Sequence, residues 1–117
     1  MSVEDTLYTT LSGNAGIAAL VSTRIFPDAI PEDKALPAVV YSRTGTDPYP
    51  SLSGADFGAD ITLNIQSWAK TRTQADQIGG AIEAALLGTD FYKVARDVGM
   101  DPETGLFATI LSYEIFD

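Results

Sequence analysis

The clearest alternation of apolar and polar residues in the chain lies between residues 59 and 68. Ile61, Leu63 and Ile65 fall on one side of an extended segment, and polar residues fall on the other. Strict alternation over this length predicts an antiparallel strand with one face on the core. The other face then meets either solvent or a polar partner. Its positions are Asp60, Thr62, Asn64 and Gln66, followed by the only tryptophan, Trp68.

The most regular helical spacing lies in the middle of the chain. Residues 71–74 have the form of a capping box, and apolar residues recur at helical spacing over 75–86, before Gly88. Gly79 and Gly80 lie inside this helix, where each glycine costs about 1 kcal/mol relative to alanine. The pair predicts a close approach of the helix to the sheet; the alternative is a hinge or an intersubunit contact.

The N-terminal segment predicts a helical hairpin or a kinked helix. Residues 2–5 form a capping box with Ser2 as N-cap, and Leu7 and Leu11 lie on one apolar face. Asn14 can cap a second short helix.

Four more segments read as extended: a short piece at 24–27 and strands at 37–43, 91–100 and 106–116. The last two are joined by a turn in which Gly105 takes a positive φ. Because the final strand is apolar on both faces, we expect it near the sheet centre or covered by a neighbouring subunit. The predicted order is ααβ(β)βαββ. This is an α+β fold in which helices pack on one face of a mainly antiparallel sheet of four to five strands, within a single domain over residues 1–117.

Residues 44–58, TGTDPYPSLSGADFG, show no strand or helix pattern. Structureless loops longer than about 12 to 15 residues are uncommon in compact domains and are usually functional or disordered. Tyr49, Leu52 and Phe57 are apolar anchors, and two prolines stiffen the segment. We therefore predict a loop that is mobile in the free subunit and orders against a neighbouring subunit or another binding partner.

Composition restricts the possible functions. The chain has 117 residues, 45% of them apolar, and 7 Lys and Arg against 16 Asp and Glu, for a net charge of −9. This balance argues against binding to the phosphate backbone of DNA. With no cysteine and no histidine, disulfides, thiol or histidine catalysis, zinc fingers and most transition-metal sites are excluded. No leader and no apolar run of membrane length is seen, so we expect a soluble, cytosolically made protein without membrane contact.

Motifs for chemistry are missing as well. The sequence has no phosphate-binding glycine motif and no nucleophile elbow. The carboxylate pairs Asp56 with Asp60 and Asp101 with Glu103 match no known ligand spacing. Ser53 could act as a nucleophile only with a lysine as its base. We predict no catalytic residue, no metal and no cofactor, so binding or assembly is favoured over catalysis.

Five segments in order carry a family resemblance. They are LYTTLSGNAGIAALVSTRIFP at 7–27, LPAVVYSR at 36–43, LSG at 52–54, ITLNIQSWAKTRTQADQIGGAIEAAL at 61–86 and DPETGLFATILSYEIFD at 101–117. Together they resemble the tail-completion, or tail-terminator, proteins of long-tailed bacteriophages and phage-derived particles such as gene transfer agents and prophage remnants.

The resemblance implies a structural virion protein rather than an enzyme. Such proteins form a ring, usually a hexamer, that caps the tail tube, ends tail polymerisation and provides the interface to the head connector. The implied partners are further copies of the chain, the major tail tube protein and the head-tail connector protein, with DNA passing through the channel without specific binding. The implied location is the head-tail interface of a virion assembled in the cytoplasm of a bacterial host.

Candidate contact residues follow from the polar strand face and the loop. Trp68 is either packed under the edge of a helix or an interface anchor, a role in which tryptophan is enriched. A second hypothesis is a small ligand-binding α+β domain with the 44–58 loop as a lid. The candidate interface residues are Asp47, Tyr49, Leu52, Phe57, Asp60, Thr62, Asn64, Gln66 and Trp68.

Overall fold

The computed structural model describes residues 3–22, 24–28, 36–50 and 56–116, with the side chains of 45–50, 56–60 and 116 outside the description. Three helices and five strands follow one another in the predicted order, which confirms the α+β class. They are α1 (Val3–Ser12), α2 (Ala15–Val21), β1 (Ile25–Pro27), β2 (Ala38–Pro50), β3 (Asp56–Ala69), α3 (Arg72–Leu86), β4 (Tyr92–Met100) and β5 (Phe107–Phe116).

The strands form one mixed sheet in the order β1-β2-β3-β5-β4. β1 runs parallel to β2, whereas the other three pairings are antiparallel. β3, the strand with the clearest alternation, is the central strand. β5 lies between β3 and β4, so the strand that is apolar on both faces occupies an interior position, as predicted.

The helices cover one face of the sheet, and the core lies between the two layers. Ile61, Leu63 and Ile65 of β3 are buried against this layer, together with Ile78 and Ile82 of α3. The alternation read from the sequence therefore identifies the core face of the central strand correctly. No helix in the described ranges is long and apolar enough to cross a membrane.

The predicted helix caps and turns are present where the structure describes them. The Asn14 Oδ1 atom accepts a hydrogen bond from the Ile17 amide at 3.0 Å, and the Thr71 Oγ1 atom accepts one from the Gln74 amide at 3.2 Å. Gly105 has a φ of +72° in the turn between β4 and β5. Ser2, the predicted first cap, lies outside the described residues.

The two glycines of α3 have different environments. A Cβ atom on Gly79 would lie 2.7 Å from the Thr109 Cγ2 atom of β5, whereas one on Gly80 would meet nothing within 4 Å. Close approach of the helix to the sheet therefore explains Gly79 and leaves Gly80 unexplained.

The prediction of a structureless loop over residues 44–58 is wrong. Residues 44–50 continue β2, and 56–58 begin β3, with register partners running from Gly45 and Thr62 to Pro50 and Asp56. Backbone pairing with β3 defines this segment, and such pairing needs no apolar alternation. Pro48 is tolerated because β1 pairs only with residues 39–41, so this part of β2 has no described strand on its outer side. Residues 51–55, including Leu52, lie outside the described residues.

We call residues 44–50 and 56–60 the arm. Pairing between β3 and β5 begins at Asp60 and its partner Phe116. Beyond that point the described arm is a ribbon of two strands, which extends past the end of the five-stranded sheet.

Candidate functional site

The face of the sheet opposite the helices carries the polar row predicted from the sequence. Thr62, Asn64, Gln66 and Trp68 are half-buried there, and the intervening residues of β3 point into the core. Two hydrogen bonds join the row: Trp68 Nε1 donates to Gln66 Oε1 at 2.9 Å, and Gln66 Nε2 donates to Asn64 Oδ1 at 2.9 Å. The side chains of Asn64, Gln66 and Trp68 are therefore oriented by one another before any partner binds.

Trp68 lies on the helix-free face. Its neighbour Ser67 points to the other side, where the Ser67 Oγ atom donates to the Ala75 carbonyl of α3 at 2.9 Å. Of the two interpretations of the tryptophan, packing under a helix edge is therefore wrong. Ala38 of β2 and Ala108 of β5 are its register partners, and their small side chains leave room for the indole across the sheet.

Apolar residues complete this surface, which we call the open face. Val40 and Ile110 flank Gln66 on the two neighbouring strands. The sequence analysis did not include them in the site, because only the register shows that they lie beside the polar row. The charged residues that the register places on this face among the described residues are all acidic: Asp47, Asp60, Asp97 and Glu114. An acidic, partly apolar surface suits a protein partner better than a phosphate backbone.

The arm contains four of the other predicted contact residues. The register places Asp47 directly opposite Asp60, while Tyr49 and Phe57 lie nearer the tip on β2 and β3. Asp60 is also the first residue of the polar row that continues to Trp68. The structure thus brings the arm and the open face together along one strand, β3. Whether the tip orders against a neighbour remains a prediction.

The edge strand β4 is an exposed surface that sequence reasoning missed. It is the last strand of the sheet, and α3 packs on β3 and β5 rather than over it. Apolar residues recur at every second position of β4, a spacing that is typical of a strand facing the core. The sequence therefore gave no indication that these side chains are exposed. The exposed apolar side chains are Tyr92 at 68%, Val94 at 56%, Val98 at 60% and Met100 at 56%.

Ion pairs hold β4 to the helix. Glu83 of α3 pairs with Lys93 Nζ at 2.7 Å and also with the Arg96 guanidinium. Asp76 lies 3.8 Å from Arg96 and accepts a hydrogen bond from Thr109 Oγ1 at 2.8 Å. The cationic groups of β4 are thus positioned by α3 while their side chains stay partly exposed.

A shallow groove of about 490 Å³ lies where α3 ends and β4 begins. Its apolar lining includes Leu86, Leu87, Phe91, Tyr92 and Tyr113. Burial raises the pKa of the Tyr113 phenol above its usual value, and the nearby Arg96 charge opposes this increase. The lining is suited to packing rather than to acid-base chemistry.

No cluster of three or more histidine, cysteine, aspartate or glutamate side chains that could hold a metal occurs among the described residues. Tyr41 has a raised pKa because of burial and, secondarily, the nearby Tyr8 and acidic residues of α1. Neither finding identifies a reactive group. The main candidate sites among the described residues are therefore three surfaces: the open face, the arm and the exposed side of β4.

The described residues thus form an α+β domain with an open sheet face, an exposed edge strand and a two-stranded arm that extends past the sheet. The family model described as "Tail completion protein gp17" matches residues 5–116. The chain therefore belongs to this family of structural phage tail proteins, which confirms the resemblance seen in the sequence.

Two solved structures have the same fold. A chain from the virion of a native gene transfer agent particle aligns with a TM-score of 0.78 and 19% identity, covering 98% of this chain and 93% of that one. The gp17 protein of bacteriophage SPP1 aligns with a TM-score of 0.60 and 19% identity, covering 97% and 87%. None of the curated protein sequences compared with the chain matches it.

Proposed function

We infer that the protein forms a ring at the end of a phage-type tail tube, stops the addition of tube subunits and presents a surface to the head connector. The observation that carries this proposal is the family match over residues 5–116. The fold shared with a chain of a gene transfer agent virion is consistent with a place in such a particle, and we put this place at the junction of head and tail. The partners are other copies of the chain, six to a ring by analogy with such terminators, together with the major tail tube protein and the connector protein. Assembly takes place in the bacterial cytoplasm.

Charge supports a channel through which DNA passes without binding. Each subunit carries a net charge of −9, so six copies would carry about −54 before counterions are counted. If part of this charge faces the channel, DNA phosphates are repelled from the wall and slide through. A channel lined by lysine and arginine would contradict this part of the proposal.

The open face and the arm are the surfaces through which the ring would contact its partners. Asn64, Gln66 and Trp68 are already ordered by their mutual hydrogen bonds, so docking costs little side-chain entropy there. A two-stranded ribbon on its own is only marginally stable in water, and a neighbour would stabilise the arm. The ligand-binding alternative loses its basis, because residues 44–50 and 56–58 extend strands of the sheet rather than form a lid.

Electron microscopy of purified tail tubes mixed with the protein tests the proposal. We expect added density at one end of each tube and no further growth when fresh tube subunits are supplied. Tubes incubated without the protein should continue to lengthen under the same conditions. Unlimited growth in the presence of the protein, with both tube ends bare, would rule out a terminator.

A further inference from the structure

We propose that neighbouring copies of this chain are joined edge to edge, with the arm of one copy lying along β4 of the next. The outer edge of the arm on β2 then pairs with the outer edge of β4. This inference rests on the ring of the proposed function and specifies its subunit contact.

The sheet has two open edges on opposite sides. On one side, β1 pairs only with Val39, Val40 and Tyr41, so no described strand flanks residues 42–50 of β2. On the other side, β4 is the terminal strand. Unpaired edges of this kind present rows of free backbone N–H and C=O groups that accept a further strand.

β4 carries apolar side chains of the kind usually buried in a core, but no helix packs over them. Val98 and Met100 are 60% and 56% exposed because α3 does not extend over them. After the irregularity between Lys93 and Ala95, β4 pairs residue for residue with β5 from Arg96 to Met100. This stretch is regular enough to accept a strand on its other side. The comparable regular stretch of β2 runs from Gly45 to Pro48.

The two unlike edges identify the arm of a second copy as the partner of β4. Each chain offers one open edge along the arm and one along β4, so every copy can supply the strand that its neighbour lacks. The register places Asp47 opposite Asp60, and like charges directly opposite each other in an antiparallel pair are destabilising, so a third strand would stabilise the arm. The cations of β4, Lys93 and Arg96, already pair with Glu83 and Asp76 of α3, so backbone pairing rather than charge carries the contact.

The two edges differ, so the contact is heterologous: each copy uses its arm on one side and its β4 on the other. Heterologous contacts produce closed rings when the rotation between copies closes. The same contact adds a third strand to the two-stranded arm and covers the exposed apolar residues of β4. A single interface therefore provides a binding partner for both the arm and β4.

Disulfide trapping tests the contact cleanly, because the chain has no cysteine of its own. One variant carries Thr46→Cys on the arm, and another carries Val98→Cys on β4. Rings are first identified, in solution or on tail tubes, from unmodified protein by native mass spectrometry and electron microscopy. The two variants are then assembled in equal amounts, oxidised and analysed by non-reducing electrophoresis, and Pro48→Cys, on the same face of β2 as Thr46, is used to sample a neighbouring register.

We expect mixed dimers from at least one arm variant with Val98→Cys, and a ladder of higher species when both substitutions are in one chain. Gly80→Cys, on the exposed side of α3, is the matched control and should not cross-link to Val98→Cys. Rings that form normally but give no arm-to-β4 product in any register would overturn the edge contact and leave the ring intact. Products from a single variant with itself would overturn it as well, since they indicate a symmetric contact. Absence of any ring contradicts the proposed function first and this inference with it.

Discussion

Gly79 and Thr109 are in contact between α3 and β5, so closely that a Cβ atom on the glycine would lie 2.7 Å from the Thr109 Cγ2 atom. The Thr109 hydroxyl also donates to Asp76 on the same helix at 2.8 Å. On the adjacent strand, the Ser67 hydroxyl donates to the Ala75 carbonyl at 2.9 Å. Small and polar residues thus fix how closely α3 approaches the sheet and leave the opposite face free.

Gly79→Ala should destabilise the fold although alanine is the better helix former. Overpacking costs about 1 to 3 kcal/mol, against about 1 kcal/mol gained in helix propensity. Urea unfolding followed by circular dichroism measures the difference. Gly80→Ala is the control and should be stabilising by about 0.5 to 1 kcal/mol, because nothing lies near that position. Combining Gly79→Ala with Thr109→Ser should restore stability, since serine lacks the Cγ2 atom. If the double variant is as unstable as Gly79→Ala alone, the contact with Thr109 is not the cause of the destabilisation.

Asn14→Ala should cost about 1 kcal/mol of stability, because it removes the acceptor for the Ile17 amide at the start of α2. Asn14→Asp keeps an acceptor and should stay close to the wild type. Thermal unfolding of the three proteins provides the measurement. Equal losses of stability in Asn14→Ala and Asn14→Asp would show that the hydrogen bond to the Ile17 amide contributes little.

Trp68 should report on assembly through its fluorescence. It is the only tryptophan and is half-buried on the open face, so covering that face should shift its emission to shorter wavelength. Emission spectra of the free protein and of the protein bound to tail tubes make the comparison. Unchanged emission on binding would exclude the open face as a contact surface.

Replacing residues 47–60 with Asn-Gly should remove the arm without unfolding the sheet. Thr46 and Ile61 are register partners, so a two-residue type I′ turn can join them directly. We expect a folded protein by circular dichroism that no longer caps tubes. Tails of normal length with this variant would show that the arm is dispensable.

Stability should fall at alkaline pH because of Tyr113 and Tyr41. Burial is the main cause that raises the pKa of each phenol above the value of 10.0 expected in the unfolded chain. The folded state therefore retains a proton that the unfolded state loses, so the contribution is complete below pH 10 and is lost as the pH rises through the folded pKa. Urea unfolding between pH 8 and 11 should show a smaller loss for Tyr113→Phe. Tyr92→Phe is the control, because that side chain is 68% exposed.

Local rules predicted the helices and the central strand because those elements depend on nearby residues. Asn14 and Thr71 cap helices through bonds to amides three residues away, and Ile61, Leu63 and Ile65 alternate along one strand. Gly79 could be read as a close contact because glycine inside a helix has a cost that needs a compensating contact.

The arm and β4 could not be read in the same way. The arm is defined by pairing between residues such as Thr46 and Ile61, which no local pattern records. In β4, apolar residues such as Val98 and Met100 have the spacing of a core face, yet the limited width of the helix layer leaves them exposed. Among the candidate contact residues, Trp68 and Gln66 were placed on the correct strand face, but their apolar neighbours depended on the register.

The position of β5 between β3 and β4 also has a consequence for folding during synthesis. Asp60 of the central strand pairs with Phe116, so a major contact of the sheet joins residues far apart in sequence. Such pairings form slowly, because a long loop must close before they contribute. A ribosome delivers β5 after the other four described strands, and the edge of β3 that pairs with β5 stays unpaired until then. The order of the strands in the sheet thus delays the finished subunit until β5 has left the ribosome.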